Sequence, residues 1–157
     1  MDWQSFSDAE APRMILVDTT VWIDFFKGSH SRYGRELHRL IDEEEDIGLT
    51  AIHLTEILQG IKDDLSHKRV KHYLLDFPIY HPRGLPTYLH ASDIYRSCRR
   101  KGKTVRKTAD CIIAAIAIEH HLALFHNDRD FEQIADCTRL KLHPKIRDRS
   151  EDRALPV

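Results

Sequence analysis

The stretch "ADCIIAAIAIEHH" at 109–121 constrains the fold more than any other part of this chain. Every residue from 112 to 118 is apolar, so a helix formed here has no polar face to turn toward water. It must be covered on most of its sides, which requires a layered fold. Short apolar runs of strand type stand at 14–17 ("MILV"), 47–50 ("IGLT"), 122–126 ("LALFH") and 140–142 ("LKL"). Helical periodicity separates them. "TTVWIDFFKG" at 19–28 has Val21 and Phe25 on one face, Thr19 or Thr20 as candidate caps and Gly28 as a stop. At 31–46, Ser31 is the cap and Tyr33, Leu37, Leu40 and Ile41 form the stripe.

Further helices are expected at 53–61, at 66–77 with Val70, Tyr73, Leu74 and Phe77 in phase, and at 128–136. Another is expected at 87–101, with Tyr88, Ala91, Tyr95 and Cys98 on one side and Gly102 closing it. A turn-rich connection, "PIYHPRGLP", has room for one more short strand. Short apolar strands alternating with helices predict an α/β fold with a mostly parallel sheet covered on both faces. Ligands in such sheets bind beyond the carboxyl ends of the strands.

The 157 residues suit one domain, expected over 14–146, with a flexible arm at 1–13 and a flexible tail at 147–157. Met14 directly precedes the first strand and is a candidate natural start; finding residues 1–13 by mass spectrometry of the natively expressed protein would exclude it. The opening residues lack a basic region followed by an apolar stretch, so no secretion signal is expected there. No apolar run approaches the roughly 20 residues that span a bilayer. The formal net charge of −1 excludes a general polyanion binder, so any nucleic-acid contact must come from a local patch. Cys98, Cys111 and Cys137 form no pair by spacing and fit reduced thiols in a cytoplasmic protein. The eleven histidines are scattered without zinc-ligand spacing.

Four acids occupy unusual settings. Asp18 follows the apolar run 14–17, and Asp128 stands in the same place after 122–126. Each is a plausible helix cap when taken alone. Glu56 borders the apolar face made by Leu54, Ile57, Leu58 and Ile61, with Gly60 one turn on as an opening or a C-cap. Asp110 begins the all-apolar helix in line with Ile113, Ala114 and Ala117, where an unpaired charge is costly. If the strands lie side by side, these carboxylates converge. Clustered carboxylates raise one another's pKa, and a hard cation relieves the repulsion. Mg²⁺, with oxygen ligands at about 2.0–2.1 Å, suits such a site and can act on phosphate oxygens. Asp130 is placed to share the capping or the binding. The run "RSCRRKGKTVRKT" at 96–108 brings Arg99, Arg100, Lys101, Lys103, Arg106 and Lys107 just ahead of Asp110, where they are candidates to hold a phosphate backbone. No glycine-rich phosphate loop and no G-x-S-x-G elbow occurs.

"MILVDTTVWIDFF", "LTEILQGI" and "TADCIIAAIAIEHHLALFHNDRDFEQIA" together resemble the PIN-domain ribonucleases, specifically VapC-type toxins of bacterial toxin–antitoxin pairs, over about residues 14–143. The resemblance implies a three-layer fold with a mostly parallel five-stranded sheet between helices. It implies RNA cleavage with Mg²⁺ or Mn²⁺, leaving a 5′-phosphate and a 3′-hydroxyl. Asp18, Glu56, Asp110 and Asp128 match the four acids; Asp18 and Asp110 would bind the cation directly, and Glu56 and Asp128 would complete the cage. Thr20 matches a hydroxyl that supports the first carboxylate, and Asn127 and Asp130 match a more variable surround. A homodimer and a VapB-like antitoxin partner are implied as well.

Two other readings remain at this stage. An aspartyl-nucleophile phosphoryl-transfer protein would use Asp18, but phosphatases of the haloacid dehalogenase type need a second acid where Thr20 stands. The other is a non-catalytic PIN-fold module that binds RNA or protein.

Overall fold

The computed structural model describes residues 14–146, apart from 29 and 145. The expected arm and tail, and with them the question of the natural start, lie outside the described residues. The elements run β1 (Ile15–Val17), α1 (Thr19–Phe26), α2 (Arg32–Asp42), β2 (Ile47–Thr50), α3 (Ala51–Gln59), α4 (Asp64–Leu74), β3 (Ile79–Tyr80), α5 (Leu85–Arg100), α6 (Thr108–Glu119), β4 (Ala123–Phe125), α7 (Arg129–Cys137) and β5 (Lys141–Leu142). The strands form one sheet in the order β3-β2-β1-β4-β5, every pairing parallel.

The sheet lies between two helical layers, as its side-chain alternation dictates. Ile15 and Val17 of β1 join Val21, Trp22, Leu37, Leu40, Ile57 and Leu74 in a core made with α1–α4. Leu16, between them, points the other way into a core with Ala91, Ile94, Ile113, Ala117 and Phe131 from α5–α7. Helix α6 buries Cys111, Ile113, Ala114, Ala115, Ile116 and Ala117, as its all-apolar sequence requires, while Ile112 and Ile118 are half-buried. Among the described residues, no helix is long and apolar enough to cross a membrane.

Helix α2 ends at Asp42 instead of 46, and α4 runs Asp64–Leu74 instead of 66–77. Three further expectations need correction. Neither Thr19 nor Thr20 caps α1; Asp18 holds the cap position, and its carboxylate makes no capping bond. Helix α3 begins at Ala51 instead of 53, because Thr50 caps it by accepting the His53 backbone N–H at 3.2 Å. Helix α5 buries Thr87, Ala91, Ile94 and Cys98, while Tyr88 is 49% exposed. Thr87 is drawn inward because its hydroxyl meets the Glu119 carboxylate of α6 at 2.8 and 2.9 Å. The expected stops at Gly28 and Gly102 hold, and both adopt positive φ (60° and 74°) where helices end.

One glycine is fixed by sheet spacing. A Cβ on Gly48 in β2 would lie 2.5 Å from Tyr80 Cε2 and 2.8 Å from the Pro78 carbonyl oxygen. That carbonyl accepts the Leu49 N–H at 3.1 Å, so it cannot retreat without breaking the β2–β3 ladder. Gly48→Ala is therefore expected to cost roughly 1–3 kcal/mol, the usual scale of overpacking. Denaturant unfolding measures this, and an unchanged midpoint would contradict the contact.

Candidate active site

The strand order reverses between β1 and β4: the chain builds outward from β1 through β2 to β3, then returns to β1's other side. Crevices at such switch points, beyond the carboxyl ends, are where parallel sheets bind ligands. Val17 pairs with Phe125, and the Asp18 N–H donates to the Phe125 carbonyl at 2.9 Å. The two strand-end acids therefore face one crevice, and the amino end of α6 delivers Asp110 to it.

Asp110, Asp128 and Asp130 each place a carboxylate oxygen within 4.8 Å of the others'. Asp110 is buried, and its Oδ2 has no hydrogen-bond partner among the described residues. Burial, then the charges of Asp18 and Asp128, and more weakly that of Asp130, push its carboxyl up to about 7; Lys107 opposes them. A buried, unpartnered carboxylate oxygen facing other carboxylates is the donor set a hard divalent cation completes.

Asp18 sits in the opposite environment. Burial raises its pKa, but hydrogen bonds from His53 and Thr20 outweigh this and hold it below the usual carboxylate range. His53 Nε2 lies 3.0 Å from Asp18 Oδ1, and the Thr20 hydroxyl donates to Oδ2 at 3.3 Å. Asp128 caps α7, its Oδ1 accepting the Asp130 N–H at 3.0 Å, while its own N–H donates to His126 Nδ1 at 3.0 Å. Burial lowers the His126 pKa, which keeps that nitrogen available as an acceptor.

The remaining expected residues divide. Glu56 is half-buried on α3, on the face it shares with His53 one turn earlier. It lies outside the close trio and is not among the groups that chiefly move the Asp110 carboxyl. Asp130, expected to share the capping or the binding, is 3% exposed and part of the trio. Asn127 is exposed beside it. Arg106 lies at the lip, with Nε 3.1 Å from Asp130 Oδ2 and a guanidinium nitrogen 3.6 Å from Asp128. Lys107 holds the cap position of α6. Lys103 and Lys101 turn to the far end of α7, at 2.7 Å from the Asp136 carboxylate and 3.5 Å from its carbonyl. Arg99 stands over the Tyr95 ring at 5.7 Å, and Arg100 is exposed. Sequence reasoning missed His53 and His126, whose contacts to the acids depend on tertiary placement.

The Asp110 shift fixes a pH dependence. Its folded pKa of about 7 lies above the ordinary aspartate value of 3.8, so between these values the native state binds more protons than the unfolded state. The metal-free protein therefore loses stability as pH rises through that window. Cation binding needs the ionised carboxylate and releases the proton. Mn²⁺ affinity should rise with pH, by close to tenfold per unit, up to about 7 and then level off. Calorimetry in buffers of different ionisation heats would read the released proton; affinity independent of pH would contradict it.

The comparisons with known proteins agree with this architecture. Residues 15–136 match the PIN domain family. The chain is 37% identical over 129 residues to "VapC ribonuclease Mb1587" of Mycobacterium bovis and to "Ribonuclease VapC11" of Mycobacterium tuberculosis, covering 82% of this chain and 96% of each relative. Among solved structures, VapBC2 from Rickettsia felis bound to a promoter DNA fragment aligns with a TM-score of 0.64 at 19% identity, over 83% of this chain and 97% of that one. FitAcB from Neisseria gonorrhoeae aligns with a TM-score of 0.62 at 24% identity, over the same shares. Those structural likenesses carry the fold. Together with the family match and the identity to near-complete relatives, they place this chain in the PIN-domain family, in its VapC branch.

Proposed function

We propose that this protein is a metal-dependent endoribonuclease, the toxin of a toxin–antitoxin pair, acting at the crevice between β1 and β4. The observation that carries the reading is Asp110: a buried carboxylate with an oxygen unpartnered among the described residues, raised to about 7 and facing three further acids at the sheet's switch point. Its VapC relatives are named ribonucleases.

Asp18 and Asp110 would hold the cation, with Asp128 and Asp130 beside them and Glu56 able to complete the set through water. Mg²⁺ or Mn²⁺ bound there supplies positive charge to a scissile phosphate and makes water a stronger nucleophile. The chain's own residues do the rest. His53 and Thr20 keep Asp18 ionised and oriented, and His126 fixes the backbone of Asp128. Arg106 and Lys107 put positive charge at the lip, where the RNA backbone would pass. Lys101 and Lys103 turn to Asp136 at the far end of α7 and Arg99 stands over the Tyr95 ring, so the charge at the lip rests on Arg106 and Lys107.

An apolar groove of about 440 Å³ lined by Ile23, Phe26, Ile57, Ile61 and Val70 suits an amphipathic partner segment, as a VapB-like antitoxin would supply. Leu85 and Leu89, 70% and 59% exposed one turn apart on α5, offer apolar surface for a homodimer. Free Cys98, Cys111 and Cys137 fit a reducing, cytoplasmic setting.

The test is cleavage of total cellular RNA by partner-free protein with Mg²⁺, Mn²⁺ or EDTA. Discrete cuts that need metal and leave 5′-phosphate ends are expected. Folded protein that binds RNA but cuts none under any condition would overturn the nuclease reading in favour of a binding module.

A further inference from the structure

We infer that His53 is the positioning residue of the site: it fixes the Asp18 carboxylate from the buried side so that Asp18 meets the cation already oriented. This rests on the metal-site reading proposed above. His53 is fully buried, and both ring nitrogens are engaged. The Thr50 backbone N–H donates to Nδ1 at 3.1 Å, so Nδ1 is an acceptor. The ring proton therefore sits on Nε2 and is donated to Asp18 Oδ1 at 3.0 Å.

Thr50 also accepts the His53 N–H at 3.2 Å, so side chain and backbone bind reciprocally in a capping box at the start of α3. This box usually ends in Glu or Gln. Here the ring does that work with one nitrogen and reaches across to another strand's acid with the other. Thr50 ends β2, which pairs in register with β1, so the sheet sets the distance from the ring to Asp18. Thr20 holds the opposite oxygen, but from an exposed residue on the solvent side. Beside the Thr19 backbone, the buried side chain that holds Asp18 is therefore His53, in the way outer partners orient a metal-binding carboxylate.

Two substitutions separate this role from helix capping. His53→Asn keeps an acceptor near the Nδ1 position for the Thr50 N–H but cannot reach Asp18. His53→Gln keeps a donor near the Nε2 position for Asp18 but loses the capping acceptor. Mn²⁺ affinity by calorimetry, thermal midpoints in EDTA, and separate kcat and KM for RNA cleavage are measured on both and on wild type.

The Asn variant should keep most of its thermal midpoint, lose roughly 10–100-fold in Mn²⁺ affinity, and lose kcat with KM little changed. The Gln variant should melt lower yet bind Mn²⁺ within about threefold of wild type. A purely structural histidine would give losses that follow the melting temperatures, and that pattern overturns the role. Wild-type protein that binds Mn²⁺ with the Asn variant unaffected overturns the role alone. Wild-type protein that binds no Mn²⁺ overturns the site reading and this role with it.

Discussion

Replacing Asp110 by Asn is expected to abolish RNA cleavage while making the metal-free protein more stable at neutral pH. The two effects have one cause. The Asp110 charge is unfavourable in the folded chain: burial and the neighbouring acids raise its carboxyl to about 7, and Oδ2 has no partner among the described residues. Asn removes that repulsion and the carboxylate a cation needs. Asp18→Asn should abolish cleavage equally but lower stability, because the Asp18 charge is favourable. Its pKa lies below the usual range despite burial, so its stabilising contribution is present above the unfolded value and lost as pH falls through the folded one. Removing either acid should lower kcat at least about 10²–10³-fold, the scale of losing a preorganised charge-stabilising group. Melts in EDTA beside cleavage assays read both signs. Undiminished metal-dependent cleavage in either variant, or equal destabilisation in both, would sink this assignment.

Trp22→Ala has the largest expected effect on stability. The indole is fully buried on α1, one turn after Asp18. It packs edge-on to Phe25 and Phe77, with centroids at 6.0 and 5.2 Å, and stacks on Phe26 at 5.9 Å. Truncation leaves a cavity walled by rigid rings that collapse poorly, so about 3–5 kcal/mol is expected. That is a large share of the roughly 5–15 kcal/mol that holds a domain folded. Trp22→Phe should cost much less. It keeps most of the ring volume and removes an indole N–H that has no partner among the described residues. Urea unfolding compares them; an Ala variant within about 1 kcal/mol of wild type would contradict the packing.

The legible parts of the fold share a physical reason. Helix α6 could be read because a run with no polar face permits one environment. The first and fourth strands could be read with their acids because a carboxylate ending an apolar run is a local feature. The convergence of those acids could be read only as a condition on strand order or from the family resemblance. It follows from β4 pairing with β1, and nothing in the pattern of either strand chooses its neighbour.

The same limit hid the face of α5, where Thr87 is buried by a carboxylate on α6. It hid His53 too. The apolar spacing of Leu54, Ile57, Leu58 and Ile61 places this helix at 53–61, with His53 as its first residue. The cap is Thr50, the last residue of a strand, and only then does the histidine become the third residue of a capping box with one nitrogen free for Asp18. For Asp130 the sequence leaves capping and binding both open; its burial beside Asp110 is a tertiary fact.

The most direct test of the central claim is a calorimetric titration of Mn²⁺ into metal-free protein, run beside Asp110→Asn. The account predicts saturable binding to wild type, with proton release that fades as pH rises through about 7, and loss of that binding in the variant. Equal binding by both proteins, or none by folded wild type, would contradict the assignment of these carboxylates to a cation.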